Sequence, residues 1–92
     1  MEEIWTKEAK YTFENNIDFL VNRWSIKVAD SFAKKTFQLI DLLKKNPEIG
    51  QIDERWRTQK ILVVPQMYLF YEIRGNKLVL LYFWNNFKQP LF

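Results

Sequence analysis

The sequence predicts an α+β fold of order β-α-α-β-β-β, a helical hairpin packed on a small antiparallel sheet. Three observations carry this. Two segments of the first half repeat apolar residues at helical spacing. Three runs of the second half are rich in β-branched and aromatic residues, and the two-residue turns Pro65-Gln66 and Gly75-Asn76 separate them. The helices precede the meander as a group and do not alternate with its strands, as they would in βαβ units.

The first element, Glu3 to Thr6, is short enough for an edge strand. Thr6 then serves as an N-cap, and Lys7-Glu8-Ala9 opens a helix. Phe13, Ile17, Leu20 and Trp24 recur on one face of it, with Glu8, Asn15, Asp18 and Asn22 opposite. Ser25 caps a second helix, whose stripe is Ala29, Phe32, Ala33, Thr36, Ile40 and Leu43, with Leu39 beside it. Asn46-Pro47 ends it, because the residue before proline is pushed out of the α region. So short a junction makes an αα-hairpin. Pro47 to Trp56 reads as a loop. Strands follow over Arg57 to Val64, Met67 to Arg74 and Lys77 to Trp84, and Asn85 to Phe92 is a tail. Counted by strict alternation, Leu78, Leu80, Tyr82 and Trp84 share one face of the last strand, and Val79, Leu81 and Phe83 the other. Both parities are apolar, so one face packs on the hairpin and the other awaits the tail or a partner.

The 92 residues suffice for one domain, 1–92. With 48% hydrophobic and 27% charged residues the chain is globular in composition. It holds no cysteine, so disulfides and thiolate chemistry are excluded and a reducing cytoplasm is the expected setting. It holds no histidine either, which removes the commonest general base and metal ligand. No metal and no cofactor are expected. The opening Met1-Glu2-Glu3-Ile4-Trp5 is acidic and has no apolar core, so no secretory leader is expected. No apolar run approaches the roughly 20 residues of a membrane span.

Charge is unevenly divided. Residues 1–54 carry 8 basic and 10 acidic side chains. Residues 55–92 carry Arg55, Arg57, Lys60, Arg74, Lys77 and Lys88 against Glu72 alone. A positive C-terminal half points to an anionic partner.

Several local features resemble the RelE/ParE toxins over nearly the whole chain. Ile4-Trp5-Thr6 with Ala9 is similar to that family's opening strand and helix start. Asn46-Pro47-Glu48-Ile49-Gly50 resembles its loop after the second helix, and Phe70-Tyr71-Glu72-Ile73 its aromatic-tyrosine strand. Phe83 to Pro90 resembles the closing segment of ParE-like members. The resemblance implies the same β-α-α-β-β-β fold and a cytoplasmic, bacterial toxin of a type II toxin–antitoxin system, of the plasmid-stabilisation kind. It implies a cognate antitoxin as partner and a hetero-oligomer with it.

The family holds two modes of action. ParE-like members bind DNA gyrase, and RelE-like members cut mRNA on the ribosome. Cleavage by 2′-OH attack needs a base, a proton donor and cations on the phosphate. Here Tyr68 stands where the nucleases commonly carry an arginine, and Trp84 to Phe87 hold none of the acid/base residues of the nuclease C-terminus. Arg55, Arg57, Lys60, Arg74 and Lys88 are therefore expected to bind the target, with DNA gyrase as that target. Phe87, Leu91 and Phe92 are expected to meet the antitoxin. If the chain were instead a RelE-like, ribosome-dependent mRNA endonuclease, Lys60, Arg74 and Tyr82 would be its catalytic candidates. Asp53-Glu54 is a poor carboxylate pair, because the arginines beside it would keep both acids ionised. Aromatics on a small sheet can also stack bases, but the signature of an RNA-recognition motif is absent.

Overall fold

Both expected helix caps form in the computed structural model, which describes residues 1–55 and 57–87. The Ala9 N–H donates to Thr6 Oγ1 at 3.0 Å and opens α1, Lys7–Arg23. The Val28 N–H donates to Ser25 Oγ at 3.2 Å and opens α2, Ile26–Lys45. Each cap satisfies one of the N–H groups that a helix start leaves without a partner. Asn46 ends α2 directly before Pro47, as expected. Trp24 departs from the expected stripe. It falls at the C-cap, one residue beyond α1, and stays 48% exposed.

The strands are β1 Glu2–Trp5, β2 Gln51–Asp53, β3 Thr58–Val64, β4 Met67–Arg74 and β5 Lys77–Asn85. They form one sheet in the order β1-β5-β4-β3-β2. Two details correct the sequence reading. The segment read as a loop contains β2, which pairs antiparallel with β3. The sheet is mixed, because β1 runs parallel to β5. The first accounts for the second. Counting one reversal of the chain per connection, the added strand makes β5 the seventh element, and so it points the same way as the first.

The core lies between the helical hairpin and one face of the sheet. Four rings meet there. Phe13 lies 5.7 Å from Phe32 and 5.3 Å from Phe83, and Trp5 lies 5.8 Å from Phe83. Leu69, Leu78, Leu80, Ile40 and Leu43 close the layer at almost no exposure. In a chain this small, such rings supply a large part of the apolar area that folding removes from water.

Helix α1 also replaces a strand. Beyond Trp5, β1 no longer covers the edge of β5, and side chains of α1 take over its backbone groups. Thr6 Oγ1 lies within hydrogen-bonding distance of the Leu80 and Leu81 carbonyls, at 2.8 and 3.0 Å. The Phe83 N–H donates to Thr12 Oγ1 at 2.8 Å, and Asn16 Nδ2 to the Phe83 carbonyl at 3.4 Å. Asn85 Nδ2 donates to Asn16 Oδ1 at 2.9 Å, and the Phe87 N–H to Asn85 Oδ1 at 2.8 Å. Unpaired backbone groups at this depth would each cost about 1–3 kcal/mol. Asn85, read from the sequence as tail, is thus the buried end of β5.

A second lock joins two motifs far apart in sequence. The Tyr71 hydroxyl donates to the Pro47 carbonyl at 2.9 Å and accepts the Gly50 N–H at 3.0 Å. A Cβ on Gly50 would lie 2.8 Å from Cε1 and Cζ of that ring and closer still to its oxygen. The glycine is there for close approach. Gly75 is there for conformation: its φ is +57°, with open space around it.

Candidate functional site

The face of the sheet turned away from the helices is set by an irregularity. Phe70 pairs with Tyr82, but Tyr71 pairs with Leu80, so Leu81 is an extra residue in β5. Alternation is reset there. Leu78 and Leu80 before the bulge, and Phe83 and Asn85 after it, all turn to the helices. Tyr82 and Trp84 turn outward. The sequence reading placed Leu78, Leu80, Tyr82 and Trp84 on one face, and the bulge at Leu81 overturns that.

Two cross-strand rows result. Lys60, Phe70 and Tyr82 form one, and Leu62, Tyr68 and Trp84 the other. The Phe70 and Tyr82 rings stack at 4.7 Å and 14°. Lys60 Nζ sits 5.3 Å over the Tyr68 ring and 6.0 Å from that of Phe70. The Trp84 indole N–H donates to Asn86 Oδ1 at 2.6 Å, which fixes the plane of an exposed ring. Together with Arg55 these groups line a depression of about 470 Å³.

Beneath the cations lies Asp53, only 5% exposed. Its carboxylate is 3.7 Å from Lys60 Nζ and 3.6 Å from the Arg55 guanidinium, and it accepts the Arg55 N–H at 3.0 Å. Burial pushes its pKa up, but the nearby Arg55 guanidinium, the Arg55 N–H hydrogen bond and the charge of Lys60 outweigh this and hold it below the ordinary carboxylate range. Burial, then the Asp53 charge, raises the Tyr82 phenol above its ordinary value. Position 53 needed β2 to bring it here, and no periodicity in Gln51-Ile52-Asp53 announced that strand.

The five cations expected to act together are divided. Arg55 and Lys60 share the depression. Arg57 lies outside β3, in the turn before it at φ 55°, and faces a separate cleft with Glu48, Glu54 and Glu72. Arg74 pairs with Glu72 at the Gly75 end of β4, four residues from Phe70, or roughly 13 Å along the strand. Lys88 lies outside the described residues. The three nuclease candidates are likewise split, with Lys60 and Tyr82 in one cross-strand row on either side of Phe70 and Arg74 remote.

An apolar groove of about 290 Å³ opens where the helical hairpin meets the β3–β4 turn. Leu20, Trp24, Val28, Val64, Met67 and Phe87 line it. Phe87 sits 5.3 Å from Trp24 and 6.2 Å from Phe19, ring to ring. Of the residues expected to meet an antitoxin, Phe87 is thus on an open apolar surface, while Leu91 and Phe92 lie outside the described residues. Among the described residues no helix is long and apolar enough to cross a membrane, and no group of three or more acidic side chains is placed to hold a metal ion.

A helical hairpin on one side of a mixed sheet, with a basic aromatic surface on the other, defines a small α+β domain with an apolar groove and an open depression. The family model described as "ParE toxin of type II toxin-antitoxin system, parDE" matches residues 4–84, and the chain belongs to that family. The solved structure titled "Chromosomal ParDE TA system from P. aeruginosa" has the same fold, at a TM-score of 0.78 and 15% identity over 92% of this chain and 95% of that one. No curated protein matches the sequence.

Proposed function

We propose that this ParE-family toxin arrests growth by binding its target, DNA gyrase, and that a cognate antitoxin neutralises it. The observation that carries a binding mode is the charge arrangement around Lys60. Asp53 is held ionised by two cations, and the Tyr82 phenol is held protonated by burial and a neighbouring carboxylate. A general acid–base pair works best with pKa values near the operating pH, and these two groups are pushed away from it. What the face offers instead is fixed positive charge and ring surface. The groove at Phe87 supports the antitoxin reading, because an open apolar surface lined by aromatic rings is the usual anchor of a protein partner.

Two assays test this together. Purified protein should inhibit gyrase supercoiling and raise gyrase-dependent DNA cleavage, and it should leave mRNA intact in a cell-free translation reaction. Alanine at Arg55, Arg57, Lys60, Arg74 or Lys88 should weaken toxicity in graded steps, about 1–3 kcal/mol each. Ribosome-dependent mRNA cleavage abolished by a single change at Lys60 or Tyr82, with target binding intact, would overturn the reading in favour of a nuclease.

A further inference from the structure

We infer that the groove at Phe87 is a control site for the opposite face of the sheet. An apolar anchor of the antitoxin, seated between Trp24 and Phe87, pulls on the turn after β5, releases Trp84 and so reshapes the depression. The inference rests on the reading of the groove as the antitoxin's surface, and it accounts for silencing of the outer face by a partner that does not cover it.

Three consecutive residues leave the end of β5 in three directions, and each is tied down. Asn85 turns to the helices, where its amide donates to Asn16 Oδ1 at 2.9 Å. Asn86 lines the depression and accepts the Trp84 indole N–H at 2.6 Å. Phe87 lines the groove, its ring 5.3 Å from Trp24 and 6.2 Å from Phe19. Successive Cα atoms are only about 3.8 Å apart. The two surfaces are therefore joined here through a single peptide unit.

The backbone of this turn is what a seated anchor moves. Two hydrogen bonds hold it, from the Asn86 N–H to the Gln66 carbonyl at 2.9 Å and from the Phe87 N–H to Asn85 Oδ1 at 2.8 Å. Gln66 sits at φ 74°, a left-handed conformation unfavourable to any residue with a Cβ. Its neighbours Pro65 and Met67 line the same groove as Phe87. An anchor that spreads the walls thus acts on both partners of the Asn86–Gln66 bond. The Trp84 ring, 40% exposed, takes its orientation from Asn86 and loses it when the turn shifts.

The groove also indicates what seats in it. Its lining side chains are apolar apart from Ser31, and its volume of about 290 Å³ has room for a large aliphatic or aromatic side chain. Arg23 lies 5.5 Å from the Trp24 ring at its rim. That suits a leucine or phenylalanine with an acidic residue beside it, and such pocketed apolar side chains are what dominate binding at protein interfaces.

The test follows the isotope-labelled full chain by NMR during titration with phenylpropanol, a neutral aromatic probe for the groove. The Trp84 indole N–H, assigned with Trp84→Phe, should shift with the same midpoint as the Trp24, Val28 and Phe87 amides. In Asn86→Ala the groove amides should still titrate and the indole should not. Ser31→Phe, which puts a ring into the groove with no ligand present, should move the indole in the same direction as the probe. It should also weaken inhibition of gyrase supercoiling by at least about fivefold, the lower end of ordinary coupling between sites. Melting curves establish that the variants are folded, and the probe titration of the parent chain needs none of them. Groove amides that titrate while the indole stays still, an indole shift that persists in Asn86→Ala, or no titration of the groove at all would overturn the coupling. The two readings fail separately. A coupled indole in a chain that leaves gyrase untouched supports the coupling and removes the gyrase target, whereas gyrase inhibition with an unresponsive indole removes the coupling alone.

Discussion

The two faces of the sheet carry similar numbers of rings and use them differently. On the helix-facing side Phe13, Phe32, Phe83 and Trp5 meet ring to ring, and the polar groups that enter the layer are bonded in a chain from Thr6 through Thr12 and Asn16 to Asn85. On the outer side Tyr68, Phe70, Tyr82 and Trp84 lie in rows with one edge open, and the charges among them are paired but reachable. The first face is built so that any vacancy costs stability. The second leaves an open depression between its rows. Apolar content alone does not separate the two, since both parities of β5 are apolar; neighbours do.

This contrast can be broken at its strongest point first. Phe32→Ala removes the most deeply buried ring of the cluster and should cost about 3–5 kcal/mol in denaturant unfolding. A cost under 1 kcal/mol would mean that the cluster is not the stabilising layer. Next in size is Tyr71→Phe, which keeps the buried ring and removes the hydroxyl that joins Pro47 to Gly50. It leaves a carbonyl and an N–H without their partner, and should cost about 1–3 kcal/mol. The loss should fall on the Asn46–Gly50 segment, visible as faster amide exchange there.

The outer face should respond in the opposite sense. Trp84→Ala should change unfolding stability by no more than about 0.5 kcal/mol, because the ring is 40% exposed on the face turned away from the helices. Its effect belongs in binding. A stability loss near that of Phe32→Ala would show that the outer rings are a second core, and the contrast between the faces would collapse.

The smallest expected effect is an electrostatic one at the rim of the core. Lys44 Nζ of α2 lies 2.6 Å from Glu3 Oε1 of β1. The hydrogen bond from Lys44 holds the Glu3 carboxyl below its ordinary value, and the same bond raises Lys44 above its own. Glu3 therefore contributes stability that is complete above its unfolded pKa and lost as pH falls through the folded one. Lys44 contributes below its unfolded pKa and loses this as pH rises through the folded one. Melting curves of the parent and Lys44→Met should differ at neutral pH and converge in acid. A difference that persists undiminished in acid would assign it to packing of the lysine stem.

Much of this was legible in the residues. The caps at Thr6 and Ser25, the stop at Asn46-Pro47 and the turn at Gly75-Asn76 each depend on groups within a few positions of one another, and each forms as expected. Arg55 and Lys60 could be recognised as candidates from charge, and Phe87 from its exposed apolar setting. What charge could not give was their grouping. Arg57 and Arg74 look equivalent to Lys60 in sequence, yet one sits in a turn at positive φ and the other is tied to Glu72 at the far end of β4.

The sequence by itself determined the helical hairpin, the three long strands and their order, because periodicity, caps and tight turns act between near neighbours in the chain. The tertiary structure decided the rest. Strand β2 exists only because β3 lends it hydrogen bonds, for three residues with Ile52 largely exposed have no local reason to be extended. The direction of β5 beside β1 follows from that added strand. The bulge at Leu81 is tolerated because Thr6 at the N-cap of α1 and Thr12 and Asn16 within it, close to 70 residues away in sequence, satisfy the backbone around it. That bulge turns Tyr82 and Trp84 outward and so creates the face on which Lys60 and Arg55 stand over Asp53. Long-range partners fixed each of these features, and a strand carries no mark of partners it has yet to meet.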